Sequence, residues 1–191
     1  MDCPNRRFCA ASIFLTALLA CTISPASAQT RLTVDNNDPA IAAFRQQPVA
    51  AAPPGAAALD IPVLGLVTPP GTPAPAGPPP RLVSDPDRDR GWYALVYNRG
   101  DVKVTVTGDL NVQALADGTT LAVGPGDDIN VASAEDSGDP VIAQMTLNRF
   151  PNIPYAVEVV CGTPVSAALC RSEPQLRGLL ASIGLLSVPN R

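Results

Sequence analysis

Residues 92–107, which read WYALVYNRGDVKVTVT, decide the fold of this chain. From Val102 to Thr107, valine alternates with lysine or threonine, which is the period of a β-strand with one buried and one solvated face. A second apolar run, residues 92–97, comes before it, and residues 98–101 (NRGD) supply turn chemistry between the two. The stretch therefore predicts an antiparallel β-hairpin.

Two further hairpins are predicted on the C-terminal side of this one. Residues 142–150 and 155–161 are apolar runs that flank the turn residues PNIP at 151–154. The other hairpin lies between the first and the last, with its turn at Asp117-Gly118. Its apolar runs are residues 110–115 and 121–123, with a further run at 129–131.

The period changes near the C-terminus, where leucine and isoleucine recur at helical spacing. Ser172 and Gln175 have the spacing of a capping box, and Pro174 between them suits the first turn of a helix. A helix over residues 173–186 is therefore predicted, and its apolar stripe must pack on one face of the sheet. The predicted fold class is α+β, mostly β, with a small antiparallel sheet of hairpins and one C-terminal helix packed on it. The stripe consists of Leu176, Leu179, Leu180, Ile183 and Leu186.

Proline divides the rest of the chain into two parts. Eleven of the 22 prolines fall between Pro48 and Pro80, interleaved with alanine and glycine. Proline lacks a backbone donor and fixes φ, so this composition disfavours both helices and sheets. Residues 29–83 are therefore predicted to be a disordered Pro/Ala-rich tether, and residues 84–191 to be the folded domain.

Residues 59–67, LDIPVLGLV, interrupt the proline-rich composition with an apolar run. Such a run can dock as an edge strand on the domain or on another protein. Pro62 and Gly65 both weaken a strand, which favours the tether. The sequence leaves the docking of this segment open.

Residues 1–28 have the layout of a secretory signal peptide. Two arginines precede an apolar run, residues 8–23, which is shorter than the roughly 20 residues that a membrane-spanning helix needs. Ala26 and Ala28 form an Ala-x-Ala cleavage site. This layout predicts cleavage before Gln29 and a mature chain without a transmembrane helix.

An alternative processing site lies within the same leader. Residues 18–21, LLAC, resemble the lipobox of bacterial lipoproteins, in which the cysteine, here Cys21, is acylated and becomes the first residue. Membrane attachment is then expected through the lipid alone. The predicted location is periplasmic or secreted in the first case, and that of a membrane-anchored lipoprotein in the second.

Cys161 and Cys170 are the only cysteines after the leader. In an oxidising compartment two such residues are expected to pair. Their spacing is not that of a Cys-x-x-Cys redox motif. A structural disulfide is therefore favoured over a redox dithiol.

Composition excludes several classes of function. The formal net charge is −4 and Lys103 is the only lysine, so the chain lacks the clustered cations that nucleic-acid binding requires. The sequence has no histidine, which rules out Ser-His-Asp and Cys-His catalysis and imidazole ligands for zinc. We expect no cofactor, no metal and no enzymatic activity.

The leading hypothesis is a non-catalytic binding or structural module on a flexible tether in the bacterial envelope. Its partner is expected to be an envelope protein or the cell wall, bound through the sheet face that the helix leaves open. Aromatic side chains are the expected contacts, because they combine a large apolar body with a polar tip. The candidates are Trp92, Tyr93, Tyr97 and Tyr155.

Two alternative functions use carboxylates. One is a hydrolase of envelope glycans, in which two acids within about 10 Å of each other act on the glycosidic bond. The other is a calcium-stabilised module, because residues 85–91 space three aspartates like the start of a calcium loop. The hydrolase candidates are Asp85, Asp87, Asp109 and Glu158.

Overall fold

A computed structural model describes residues 29–46, 52–67, 77–113, 128–132, 140–150 and 153–189. The predictions of a signal peptide and of lipidation at Cys21 fall on residues 1–28, which lie outside the described residues. The predicted run 121–123 of the middle hairpin lies outside them as well. Within the described ranges strands predominate over helices, and the predicted class, α+β and mostly β, is confirmed.

Ten strands and three α-helices follow one another in the described residues. The N-terminal elements are β1 (Gln29–Arg31), α1 (Pro39–Arg45) and β2 (Val63–Leu66). The central strands are β3 (Arg81–Asp85), β4 (Asp89–Arg99), β5 (Val102–Asp109), β6 (Asn111–Gln113) and β7 (Asp128–Ala132). The C-terminal elements are β8 (Val141–Phe150), β9 (Ile153–Cys161), α2 (Pro164–Arg171), α3 (Glu173–Ala181) and β10 (Ile183–Ser187).

Six of these strands form one antiparallel sheet in the order β3-β4-β5-β9-β8-β7. The first predicted hairpin is confirmed: β4 and β5 pair with Tyr97 opposite Val104, and Gly100 has a φ of 62° in the turn between them. Glycine suits that turn because a side chain is strained at positive φ. The predicted hairpin of residues 142–150 and 155–161 is confirmed as β8 and β9.

The described parts of the middle hairpin pair with other strands. Run 110–115 contributes β6, which pairs with β1 near the N-terminus. Run 129–131 lies in β7, at one edge of the large sheet beside β8. A turn signal such as Asp117-Gly118 predicts a reversal of the chain, but it does not specify which strand pairs with the residues around it.

The helix predicted over residues 173–186 is too long. α3 ends at Ala181, and the Ser182 hydroxyl donates to the Leu179 carbonyl at 2.7 Å and so caps the last turn. Ile183 is buried as the apolar stripe requires, but it lies on β10, whose partner strand is β2. Strand pairing in the tertiary structure overrides the helical period at this point.

A second helix, α2, is not among the predicted elements. Its capping box is formed by Thr163 and Ser166, with the Thr163 amide donating to Ser166 Oγ at 3.1 Å and the Ser166 amide donating to Thr163 Oγ1 at 3.3 Å. The capping box predicted at Ser172 and Gln175 is wrong, because the Ser172 side chain makes no capping hydrogen bond. The predicted start of the helix at residue 173 is confirmed, with Ser172 as the N-cap residue and Pro174 in the first turn.

Residues 59–67 belong to the folded domain. Leu59 and Ile61 are each 1% exposed and Val63 is fully buried, and β2 pairs antiparallel with β10. The alternative of a docked segment is therefore confirmed. The domain boundary predicted at residue 84 is corrected to include this segment, because its apolar residues gain more from burial than the intervening proline loses.

Residues 29–46 also contribute to the folded domain. Ile41 of α1 is fully buried, and β1 pairs with β6. Two parts of the predicted tether, residues 47–51 and 68–76, lie outside the described residues.

The large sheet has two faces with different surroundings. One, which we call the core face, is buried beneath β2, β10, α2 and α3. Arg45 Nη2 of α1 lies 3.5 Å from the carbonyl oxygen of Pro189, which follows β10. Helix α1 therefore lies beside the elements that cover the core face. The core face carries Tyr93, Leu95, Tyr97, Val104, Val106, Tyr155, Val157 and Val159.

The opposite side, which we call the open face, is not covered by any helix of the described residues. Its side chains are exposed or half-buried, in alternation with the buried set along each strand. The open face carries Trp92, Ala94, Val96, Lys103, Thr105, Thr107, Gln144, Thr146, Ala156 and Glu158.

Candidate functional site

The strand register aligns polar side chains in two rows across the open face. Thr105 of β5 lies opposite Glu158 of β9, which in turn lies opposite Gln144 of β8. In the next row, Thr107 of β5 and Thr146 of β8 lie on either side of an alanine. Neighbouring strands are about 4.8 Å apart, so each row places its polar groups within reach of one ligand.

The two rows line a groove of about 450 Å³. Its polar groups are three threonine hydroxyls, the exposed Gln144 amide and the half-buried carboxylate of Glu158. Exposed Ala156 lies between them and leaves the centre of the groove free of a long side chain. This set of donors and acceptors, with a single negative charge, suits a polar ligand that both donates and accepts hydrogen bonds.

Thr105 carries the unusual group of this groove. Its Oγ1 is buried and, in the part of the chain that the structure describes, is the one buried side-chain oxygen or nitrogen without a hydrogen-bond partner. Leaving a buried hydroxyl unpaired costs about 1–3 kcal/mol of folding free energy. Because this oxygen is shielded from solvent, a ligand in the groove reaches it only after the Thr105 side chain changes rotamer.

Trp92 is the only one of the four predicted aromatic contacts on the open face, where it is half-buried and lies opposite Asp109. Tyr93 and Tyr155 are fully buried on the core face, and Tyr97 is 7% exposed there. The prediction that these three tyrosines contact a partner is corrected, because strand alternation turns them away from the open face.

The three tyrosines hold β2 in place. Tyr93 accepts a hydrogen bond from the Leu64 amide at 2.7 Å, and Tyr97 accepts one from the amide two residues further along β2 at 2.9 Å. Tyr155 donates to the Pro62 carbonyl at 3.0 Å. Burial raises the pKa of all three hydroxyls above the usual tyrosine value, so they remain neutral hydrogen-bonding groups.

The hydrolase candidates lie at three places: Asp85 and Asp87 near the turn after β3, Asp109 at the end of β5, and Glu158 on β9. Asp85 and Asp87 are exposed at and beyond the end of β3, and Asp109 accepts a hydrogen bond from the Asn111 amide at 2.7 Å. Asp109 lies four residues along β5 from the position opposite Glu158, which separates the two backbones by roughly 13 Å. Paired glycosidase carboxyls lie about 5–9.5 Å apart. The backbones of Asp109 and Glu158 are therefore farther apart than that spacing.

Asp89, the third aspartate of the predicted calcium loop, is engaged within the protein. It accepts hydrogen bonds from the Gly91 amide at 2.8 Å, Asn111 Nδ2 at 2.6 Å and Arg31 Nη1 at 3.2 Å. The Gly91 amide above all, with Asn111 and Arg31, holds the pKa of Asp89 below its usual range, while partial burial acts in the opposite direction. Among the described residues, no three histidine, cysteine, aspartate or glutamate side chains come together to hold a metal ion.

The arginines beside this loop tie the N-terminal segments to the sheet. Arg31 pairs with Asp60 at 3.5 Å, and Arg90 pairs with the same carboxylate at 3.3 Å. Arg90 Nε also donates to the Ala58 carbonyl at 2.7 Å. Asp89 and Arg90 thus have structural partners. The local sequence did not reveal those on Arg31, Asp60 and Ala58, because these residues lie far away along the chain.

Cys161 and Cys170 form the predicted disulfide, with Cα atoms 6.2 Å apart and both side chains buried. The bond joins the end of β9 to the last turn of α2. Beside it, the Thr163 hydroxyl donates to the Asp101 carboxylate, and the Gly162 amide donates to the Asp101 carbonyl at 2.9 Å. These bonds fix the turn between β4 and β5 to the start of α2.

No helix of the described residues is long and apolar enough to cross a membrane. The disulfide is of the kind that oxidising compartments permit. The chain matches no known family model, and it matches none of the curated proteins or solved structures with which it was compared.

Proposed function

We propose that this protein is a non-catalytic binding module, exported to the bacterial envelope, that recognises a cell-wall glycan through the groove on its open face. The observation that carries the proposal is the groove itself, in which two rows of polar side chains lie on a sheet face that no described helix covers. The leader-like residues 1–28 and the disulfide support export.

The chemistry of the groove favours a glycan over a protein surface. Sugar hydroxyls both donate and accept, and Thr105, Thr107 and Gln144 offer both functions while Glu158 accepts. The centre of a protein interface is depleted of charge and enriched in aromatic and methionine side chains. The centre of this face instead carries threonines around an alanine.

Trp92 adds an apolar surface beside the polar rows. On the open face it lies diagonal to Thr107, because Ala94 is directly opposite Thr107 in the register. Diagonal positions on neighbouring strands are about 7–8 Å apart, within reach of an aromatic side chain. Trp92 does not itself line the groove, and in this proposal its indole ring stacks on a sugar that extends from the groove along the open face.

Co-sedimentation of the purified, oxidised protein with insoluble peptidoglycan tests the proposal. We expect the wild type to sediment, and Trp92→Ala and Thr105→Val each to weaken binding by about fivefold or more, since each removes a contact of about 1 kcal/mol or more. Arg177→Ala is the matched control, because Arg177 pairs with Glu173 on the exposed side of α3, away from the open face. A wild type that stays in the supernatant, or open-face variants that sediment like the wild type, would contradict the proposal.

A photo-crosslinking residue at position 107 separates the glycan from a protein partner. We expect no discrete protein adduct when the residue is irradiated in envelope preparations. A protein adduct that disappears in the Trp92→Ala background, together with failure to sediment, would replace the glycan with an envelope protein as the ligand.

A further inference from the structure

A small apolar pocket opens between the core face and the two C-terminal helices, on the side of the sheet opposite the groove. Its volume is about 300 Å³, at the lower end of the range for small-molecule sites. Buried Val104 and Val159 form its base, and Leu169 of α2 and Leu179 of α3 form its walls. Both leucines are only half-buried, so the pocket is open to solvent between the helices.

Arg99 gives this apolar pocket a charged end. Its guanidinium forms no ion pair with a carboxylate of the described residues. Asp101, two residues away, is bound instead by the Thr163 hydroxyl. Strand alternation places Arg99 on the core face, in line with Leu95 and Tyr97 of the same strand, and its side chain lines the pocket.

Gln175 is the second polar residue that lines the pocket, and it is exposed at the start of α3. Its side-chain amide is a neutral donor and acceptor. Together with Arg99 it supplies hydrogen-bond donors for an anionic group, whereas the rest of the lining is aliphatic. The pocket therefore combines an aliphatic lining with one cationic side chain.

We propose that this pocket binds an aliphatic chain that ends in a carboxylate, with the chain against Val104, Leu169 and Leu179 and the carboxylate on Arg99. Aliphatic contacts supply the hydrophobic part of the affinity. A carboxylate on an arginine forms a charge-assisted bond that an alcohol cannot replace. The site is separate from the groove, so it is independent of the glycan proposal.

Titration of the purified protein with decanoate below its micelle concentration, followed by methyl NMR, tests this inference. We expect saturable shifts confined to the methyl groups of the residues that line the pocket, with no shift of the Trp92 indole on the open face. These residues are Val102, Val104, Val159, Leu169 and Leu179. Arg99→Gln should weaken decanoate binding by about tenfold or more, because the bond to a charged group is lost. Decanol should bind the wild type and Arg99→Gln equally.

The matched control is Arg88→Gln, because Arg88 is exposed in the turn before β4 and does not line the pocket. This variant should bind decanoate like the wild type. Shifts that are absent, non-saturable or spread over the surface of the wild type would overturn the proposal without any variant. Equal decanoate affinity of Arg99→Gln and the wild type would overturn the role of the charge.

Discussion

The core face and the open face are made by the same strands, yet they use hydroxyl groups in opposite ways. On the core face, the hydroxyls of Tyr93, Tyr97 and Tyr155 all bond to the backbone of β2 or of the residue before it. On the open face, the buried hydroxyl of Thr105 has no partner in the described structure. The difference separates hydroxyl groups that stabilise the fold from one that adds no hydrogen bond to it.

The two faces also differ in free space. A Cβ atom added to Gly108 on the core face would lie 2.6 Å from Tyr93 Cε1 and 2.9 Å from Ile61 Cδ1. The open face instead leaves a groove of about 450 Å³ around Ala156. Changes on the core face should therefore affect stability, and changes on the open face should affect binding.

The largest expected effect is alkaline unfolding driven by the core face. Burial raises the pKa of Tyr93 and Tyr155 in the folded state, so above about pH 10 the unfolded chain releases protons that the folded protein retains. The free energy of unfolding is therefore fully retained below the unfolded tyrosine pKa of about 10 and falls as the pH rises above it. Each contributes up to about 1.4 kcal/mol of lost stability per pH unit in that window. All three tyrosines of the chain are buried, so tyrosinate absorbance should appear together with loss of structure. Normal titration near pH 10 in a folded protein would contradict the burial.

Gly65→Ala tests the tight contact between β2 and the core face. Its Cβ would lie 2.5 Å from Leu186 Cδ1 and 2.7 Å from Leu95 Cδ2, and overpacking of this kind costs about 1–3 kcal/mol. Urea denaturation should show a loss near the upper end of that range. Gly178→Ala is the control, because no atom lies within 4 Å of its added Cβ, and in a helix this change should stabilise by about 0.5–1 kcal/mol. Equal effects of the two changes would mean that β2 is not packed as described.

Tyr93→Phe removes one of the hydroxyls that hold β2 while keeping the ring. The Leu64 amide loses its partner at 2.7 Å, and a buried amide without a partner costs about 1–3 kcal/mol. The free energy of unfolding should fall by about 1–2 kcal/mol, with no change in peptidoglycan binding. A loss of binding at unchanged stability would place Tyr93 in the site and reverse the comparison.

Thr105→Val gives the smallest expected effect on stability. It replaces the unpaired hydroxyl by a methyl group of similar shape, so the free energy of unfolding should stay constant or rise by up to about 1 kcal/mol. The same variant should bind peptidoglycan more weakly. A fall in stability larger than that of Tyr93→Phe would show that the Thr105 hydroxyl has a structural partner.

Local signals predicted the parts of the fold that depend on neighbouring residues. The hairpin of residues 92–107 carries both its alternation and its turn in one stretch, and the pairing of Cys161 with Cys170 follows from their being the only cysteines after the leader. The pairing of Gly65 with Gly184 joins residues about 120 positions apart, and no local pattern specifies it. The end of α3 was missed for the same reason, since the strand that follows it exists only because β2 is there to pair with it.

The candidate site was only partly accessible from sequence. Strand alternation in residues 92–97 already separates Trp92 from Tyr93 and Tyr97, so the register of the first hairpin could have identified Trp92 as the one of these three aromatics on the open face. The unpaired hydroxyl of Thr105 could not have been found, because it depends on the side chains of three neighbouring strands. The partners of Asp89 could not have been predicted either, since Arg31 comes from a different part of the chain.

The pairing of β2 with β10 has a consequence for when this chain can fold. Synthesis proceeds from the N-terminus, so β2 emerges long before the strand it must pair with, and closing so long a loop carries an entropic cost that only the completed chain can offset. Folding of such non-local β pairs is slow compared with that of local hairpins. In this topology β2 therefore has no partner strand until β10 has been synthesised, whereas hairpins such as β4–β5 and β8–β9 can form earlier because their strands are neighbours along the chain.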